Sequence, residues 1–116
     1  MMLRTGSLMV ATAISLALSG CGGPQQEYKY RITVIPKGLD HEFWQSIHRG
    51  AERAARDLKE QRGLAVKVIW DGPLKENEAR EQIDIIHRNV ADRVSGIALA
   101  PQHSETMVVP VKEAVQ

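Results

Sequence analysis

Short apolar runs rich in β-formers alternate with longer stretches of helical period along this chain, and that alternation restricts it to a parallel sheet crossed by helices. Tyr30, Ile32 and Val34 alternate and, with Ile35, form a first strand whose neighbours predict burial on both faces. Ile47, Ala51, Ala54, Ala55 and Leu58 then fall at spacings of 4, 3, 1 and 3, one apolar stripe on a helix that ends near Gly63; Asp40 or a close neighbour caps it. Val66, Val68, Ile69 and Trp70 form a second strand, and Asp71, Gly72 and Pro73 turn out of it. A second helix is predicted over 76–92, with Ile83, Ile86 and Val90 inward and Glu78, Arg80, Glu81 and Arg88 in water. The uncharged run 94–100 is a third strand, ended by Pro101. Ser104 can cap a third helix, in which Pro110 predicts a kink or a later start.

Three strand-helix units in succession give an α/β fold, a three-layer parallel sheet with right-handed βαβ crossovers. All three strand ends then meet at one edge, in the loops 37–43, 71–75 and 102–104. Open α/β sheets bind ligands at such an edge.

Phe43 and Trp44 stand in the first of these loops, two of only five aromatic side chains in the chain. Neighbours on a helix point about 100° apart, so one compact core does not easily take both rings. The pair is therefore placed for a ligand, or else Phe43 caps the sheet and Trp44 lies half exposed.

The N-terminus sets the compartment. Arg4, a mostly apolar stretch over 8–18 and then small residues have the three-part form of a secretory signal peptide. The stretch is shorter than the roughly 20 apolar residues of a membrane span, and Thr12 and Ser15 interrupt it. The one cysteine follows at once, in Leu18-Ser19-Gly20-Cys21, which resembles the bacterial lipobox; the alternative is a chance thiol beside an ordinary cleavage site. With one cysteine no internal disulfide forms. Acyl chains on Cys21 would hold the protein to a lipid bilayer. Residues 1–20 are thus expected to be a lipoprotein signal peptide, 21–28 the lipidated cysteine with a flexible tether, and 29–116 the folded part.

Removal of the signal takes away Arg4 alone and leaves 14 basic residues against 14 acidic ones, so no basic footprint for nucleic acid survives. Basic side chains fall at pairing distance from acidic ones along helix faces, as the spacing of Glu52 and Arg56 predicts. His41 and Glu42 begin a zinc-protease pattern, but Gln45 stands where its second histidine belongs. His48, seven residues from His41, brings no third ligand. Lys37 and Gly38 lack the glycine spacing of a phosphate loop or dinucleotide fingerprint, and no serine nucleophile elbow occurs. No catalytic set is present, and no cofactor is called for.

The stretches ITVIPKGLDHEFWQSIHRGAERAA, VIWDGPLKENEAREQIDIIHRNV and SGIALAPQHSETMVVPVKEAV resemble the N-terminal lobe of the sugar-type, ribose-binding-like periplasmic binding proteins of ABC importers, from Tyr30 to Gln116. The resemblance implies two α/β lobes joined by a hinge, closing on a solute. It implies a small-molecule sugar as ligand, ABC permease subunits as partners, a monomer when complete, and a place in the cell envelope facing the periplasm or exterior. Phe43 and Trp44 match the aromatic pair that stacks on the sugar ring in this family, because a sugar offers an apolar CH face to a ring and hydroxyls at its rim. Lys37 and Asp40 could add a donor and an acceptor; alternatively Lys37 is a solvated charge and Asp40 the helix cap. His103 stands where the family has an aspartate that accepts from sugar hydroxyls, and a neutral imidazole offers one donor and one acceptor instead. The structural alternative is an exposed loop histidine.

The resemblance also calls for more chain than 116 residues supply, and three strands are few where five or six are usual. The expectation is an N-terminal part of a longer protein, from a truncated frame or an incomplete gene model. Three functional classes remain: sugar capture for an importer, a binding protein that reports a sugar to a membrane receptor, and an exported enzyme on the same scaffold, which lacks a nucleophile and base. A non-functional fragment is the remaining alternative.

Overall fold

The computed structural model describes residues 27–116; the signal stretch, Cys21 and most of the tether lie outside the described residues. The elements run β1 (Tyr30–Ile35), α1 (Glu42–Arg62), β2 (Val66–Trp70), α2 (Ala79–Ala91), β3 (Gly96–Leu99) and α3 (Val108–Ala114). The sheet order is β2-β1-β3, all parallel, with Ile32 opposite Val68 on one side and Gly96 on the other. The crossover from β1 to β2 and the one from β2 to β3 move in opposite directions, and crossovers of one hand must then lie on opposite faces. α1 accordingly covers one face, and α2 with α3 the other.

Side chains alternate across β1, and its two faces are buried unequally. Thr33 and Ile35 are fully buried toward α2, whereas Ile32 and Val34 are only half-buried toward α1. The expected burial on both faces therefore holds for one. The core is Ile35, Ile85, Ile86 and Met107, with Ile97, Leu99 and Ala114 packed against it. Each such aliphatic side chain contributes about 2 kcal/mol by leaving water.

Both long helices are rotated from their expected stripes. In α1 the inner side chains are Trp44, His48, Ala51, Ala55 and Leu58, while Ile47 and Ala54 are exposed. The His48 ring stacks on Trp70 of β2 with centroids 4.5 Å apart and planes 4° from parallel, and Ile47 is exposed beside Val34 and Ala98. In α2 the buried set is Gln82, Ile85, Ile86 and Asn89, and Val90 is exposed. Thr33 donates to Asn89 Oδ1 at 2.6 Å, and Asn89 Nδ2 donates to the Ile85 carbonyl at 2.9 Å, so the buried amide has partners at both ends.

Helix starts differ as well. Asp40 is not the cap of α1: His41 occupies that place, and its Nδ1 accepts from the Phe43 N–H at 3.1 Å. The reason lies in the loop before it, where the Leu39 and Asp40 N–H groups donate to the carbonyls of Pro73 and Leu74, so the chain stays paired across loops through Asp40. α2 begins at Ala79 rather than near Glu76. α3 begins at Val108, the later start that Pro110 predicts, with Met107 and not Ser104 at the cap, which puts Pro110 in the first turn, where a missing N–H costs nothing.

Candidate functional site

The carboxyl ends of the three strands bring together the loops 36–41, 71–78 and 100–107. Close packing joins the first two: a Cβ on Gly72 would lie 2.8 Å from Pro36 Cδ, and one on Gly38 3.0 Å from the Glu76 nitrogen. Glycine is required at position 72, and a side chain at position 38 would press on the 75–76 backbone. Gln45, in the first turn of α1, donates to the Leu39 carbonyl at 2.6 Å and fixes the loop to the helix it enters.

At this edge Phe43 and Trp44 meet edge to face, with centroids 4.9 Å apart and planes at 77°. Phe43 is 56% exposed. Trp44 is half-buried, and its indole Nε1–H donates to Glu76 Oε1 at 2.8 Å. Trp44 lines an apolar concavity of about 200 Å³ with Val34, Pro36, Ile47 and Ala98. The two rings are thus neither stacked on each other nor absorbed in the core. They form an apolar corner open to solvent.

The polar residues singled out from the sequence all reach the same edge, though not one cavity. Lys37 is half-buried, and its carbonyl accepts from Gln102 Nε2. Asp40 is exposed, held by its backbone to Leu74. His103 is exposed and lines a shallow depression with Gln102, Ser104, Glu105 and Thr106, apart from the Trp44 concavity. Among the described residues no group of three or more His, Cys, Asp or Glu stands together as a metal site, and no helix is long and apolar enough to cross a membrane.

Two residues that the sequence reading passed over organise this edge. Gln82 is fully buried in the first turns of α2; its Nε2 donates to the Pro36 carbonyl at 3.0 Å and the Ala100 carbonyl at 2.9 Å, tying the ends of β1 and β3. Its Oε1 accepts from the Gln102 N–H at 2.8 Å. Gln102 in turn donates to Lys37 and accepts from the Asn77 N–H at 2.9 Å. The one signal for Gln82 was its spacing of 3, 4 and 7 from Ile85, Ile86 and Asn89, a helical face with polar ends. On the second loop Glu78 accepts from the Lys75 N–H at 3.1 Å, and desolvation, reinforced by that Glu78 carboxyl, holds the carboxyl of Glu81 above the usual carboxylate range. The edge therefore offers an apolar corner, rigid backbone and exposed polar side chains, suited to holding a small polar molecule with a CH face.

No family model matches the chain. A D-ribose/D-allose-binding protein of Pseudomonas aeruginosa is 27% identical over 114 residues, 97% of this chain and 34% of the relative. This chain thus spans about a third of the length of that curated relative. An ABC transporter solute-binding protein from Agrobacterium vitis, solved with α-D-tagatopyranose, superposes with a TM-score of 0.67 at 28% identity, over 75% of this chain and 27% of that one. A carbohydrate transporter solute-binding protein from Agrobacterium radiobacter, solved with D-arabinose, gives 0.63 at 29% identity over 73% and 27%. Over the part it shares with them, this chain is a homologue of ABC-transporter sugar-binding proteins, and its parallel three-stranded sheet with helices is an α/β fold that matches part of the periplasmic binding protein lobe.

Proposed function

We propose that this chain supplies part of the N-terminal sugar-binding lobe of the solute-binding component of an ABC importer, exported and held to a membrane by lipid on Cys21. The observation that carries the reading is the Trp44 ring, bonded to Glu76 and lining an apolar concavity at the carboxyl ends of β1 and β3. The sugars named with the relatives are compact polyols with an apolar face, the shape such a corner suits. Phe43 and Trp44 form the platform, and Lys37, Asp40 and His103 meet hydroxyls at the ring's rim. No bond is made or broken; binding energy favours the closed form of two lobes over the open one. Residues 1–20 are the signal peptide in this reading, 21–28 the lipidated cysteine and tether, and 29–116 part of a lobe. The permease that receives the sugar is the protein partner, in the cell envelope.

The test is tryptophan fluorescence of the complete protein, titrated with pentoses, hexoses and their alcohols. A saturable change with one sugar, lost in Trp44→Ala, supports the reading. Silence across the panel from a folded protein overturns it. Anchoring is tested separately by labelling cells with a radioactive fatty acid: the wild type takes up label, and Cys21→Ala does not.

A further inference from the structure

Gln102, in the third edge loop, bonds to both of the other two. The residue is 7% exposed and uses both ends of its amide, Nε2 donating to the Lys37 carbonyl and Oε1 accepting from the Asn77 N–H. Its own N–H is held from below by Gln82, which is bonded to the ends of β1 and β3. Asn77 stands in the left-handed region at φ 73°, directly after Glu76, whose carboxylate holds the Trp44 indole. An unbroken line of hydrogen bonds and one peptide link therefore runs from the strand ends, through Gln102 and the 76–77 turn, to the Trp44 ring.

We infer that Gln102 is a positioning residue of the sugar site: by bridging Lys37 and Asn77 it sets the attitude of the Trp44 indole and the backbone of the Lys37 loop, without contributing a ligand contact. The inference rests on the reading of Trp44 as the sugar platform. The bridge is specific to an amide, because Lys37 offers only a carbonyl oxygen and Asn77 only an N–H. A carboxylate at position 102 keeps the acceptor for Asn77 but turns an oxygen lone pair toward the Lys37 carbonyl. Protonation of that carboxylate restores the donor. Alanine removes both contacts and leaves two backbone groups to find water.

The test compares wild type, Gln102→Ala and Gln102→Glu in the complete protein. Trp44 emission is isolated as the difference from matched Trp44→Phe variants, and affinity is measured for the sugar that the fluorescence panel identifies. Gln102→Ala is expected to shift Trp44 emission to longer wavelength and weaken sugar binding about fivefold or more. Gln102→Glu is expected to do the same at pH 7.5 and to return toward wild type as the pH is lowered to 5, while wild type and Gln102→Ala show no such return. A purely stabilising role would lower the melting temperature of the variants yet leave Trp44 emission and affinity unchanged below it, and that result overturns the inference. Should Gln102→Ala fail to fold, the pH response of Gln102→Glu decides alone. Should the wild type bind no sugar, the functional reading fails, and Trp44 emission still decides whether Gln102 positions the ring.

Discussion

Trp44 Nε1 and Glu76 Oε1 lie 2.8 Å apart, joining the first turn of α1 to the loop after β2. Aromatic side chains at a solvent-facing edge otherwise sample several rotamers, and ordering one on ligand binding costs about 0.5–1.5 kcal/mol. The Glu76 carboxylate has met part of that cost beforehand. Glu76→Ala should therefore weaken sugar binding by about threefold to tenfold while barely altering the melting temperature, since the bond is exposed. Glu76→Gln keeps an acceptor and should bind nearly as the wild type does. Fluorescence titration of both variants checks the pair.

The two rings should separate in their effects. Phe43 is 56% exposed, so Phe43→Ala should change stability by less than about 1 kcal/mol, chiefly through its edge contact with Trp44. Trp44→Ala in the complete protein should weaken sugar binding by roughly 1–3 kcal/mol, the scale of a buried aromatic contact. Equal affinity in wild type and Trp44→Ala would return the ring to a structural role.

Gln82 is the polar group whose loss should harm the fold most. Gln82→Ala leaves the Pro36 and Ala100 carbonyls and the Gln102 N–H without their partner in a buried place, and should cost about 2–4 kcal/mol. Gln82→Met fills nearly the same volume and should be little better, because the missing bonds outweigh the cavity. Urea denaturation of both variants measures the difference.

Gln82 also marks where reading the sequence stops short of the structure. The strands were legible because apolar residues crowd into runs of four to six, and the edge loops because Gly72, Pro73 and Pro101 punctuate them. The periodicity argument sends polar residues to water, so it chose Val90 over Asn89 and passed over Gln82. Both amides are inside because strand ends leave backbone carbonyls, and Thr33 leaves a hydroxyl, that need partners from the helix above. The same physics moved the cap from Asp40 to His41: a cross-loop bond to Leu74 carries no local sequence signal. Phe43 and Trp44 were found because adjacent rings cannot share one core, but their partner Glu76, 32 residues away, has no such mark.

The end of α2 offers a test of backbone strain against a built-in control. At the end of α1 the Leu64 N–H bonds to the Leu58 carbonyl around Gly63, which holds the left-handed φ of 64° at no steric cost. At the end of α2 the Val94 N–H bonds to the Asn89 carbonyl and the Arg93 N–H to Val90, a closure one residue shorter, but here Arg93 takes φ 51°. A side chain in that conformation costs about 1–2 kcal/mol, and glycine gives back part of the relief through its greater freedom in the unfolded chain. The Arg31 guanidinium donates to the carbonyls of Asp92 and Arg93, contacts with the backbone that a change of the Arg93 side chain leaves in place. Arg93→Gly should therefore stabilise the protein by about 0.5–1 kcal/mol, read as a rise in the urea midpoint with unchanged slope. Gly63→Ala should do the reverse by about 1 kcal/mol. If Arg93→Gly instead destabilised, the Arg93 side chain would have to make a contact worth more than the strain it carries.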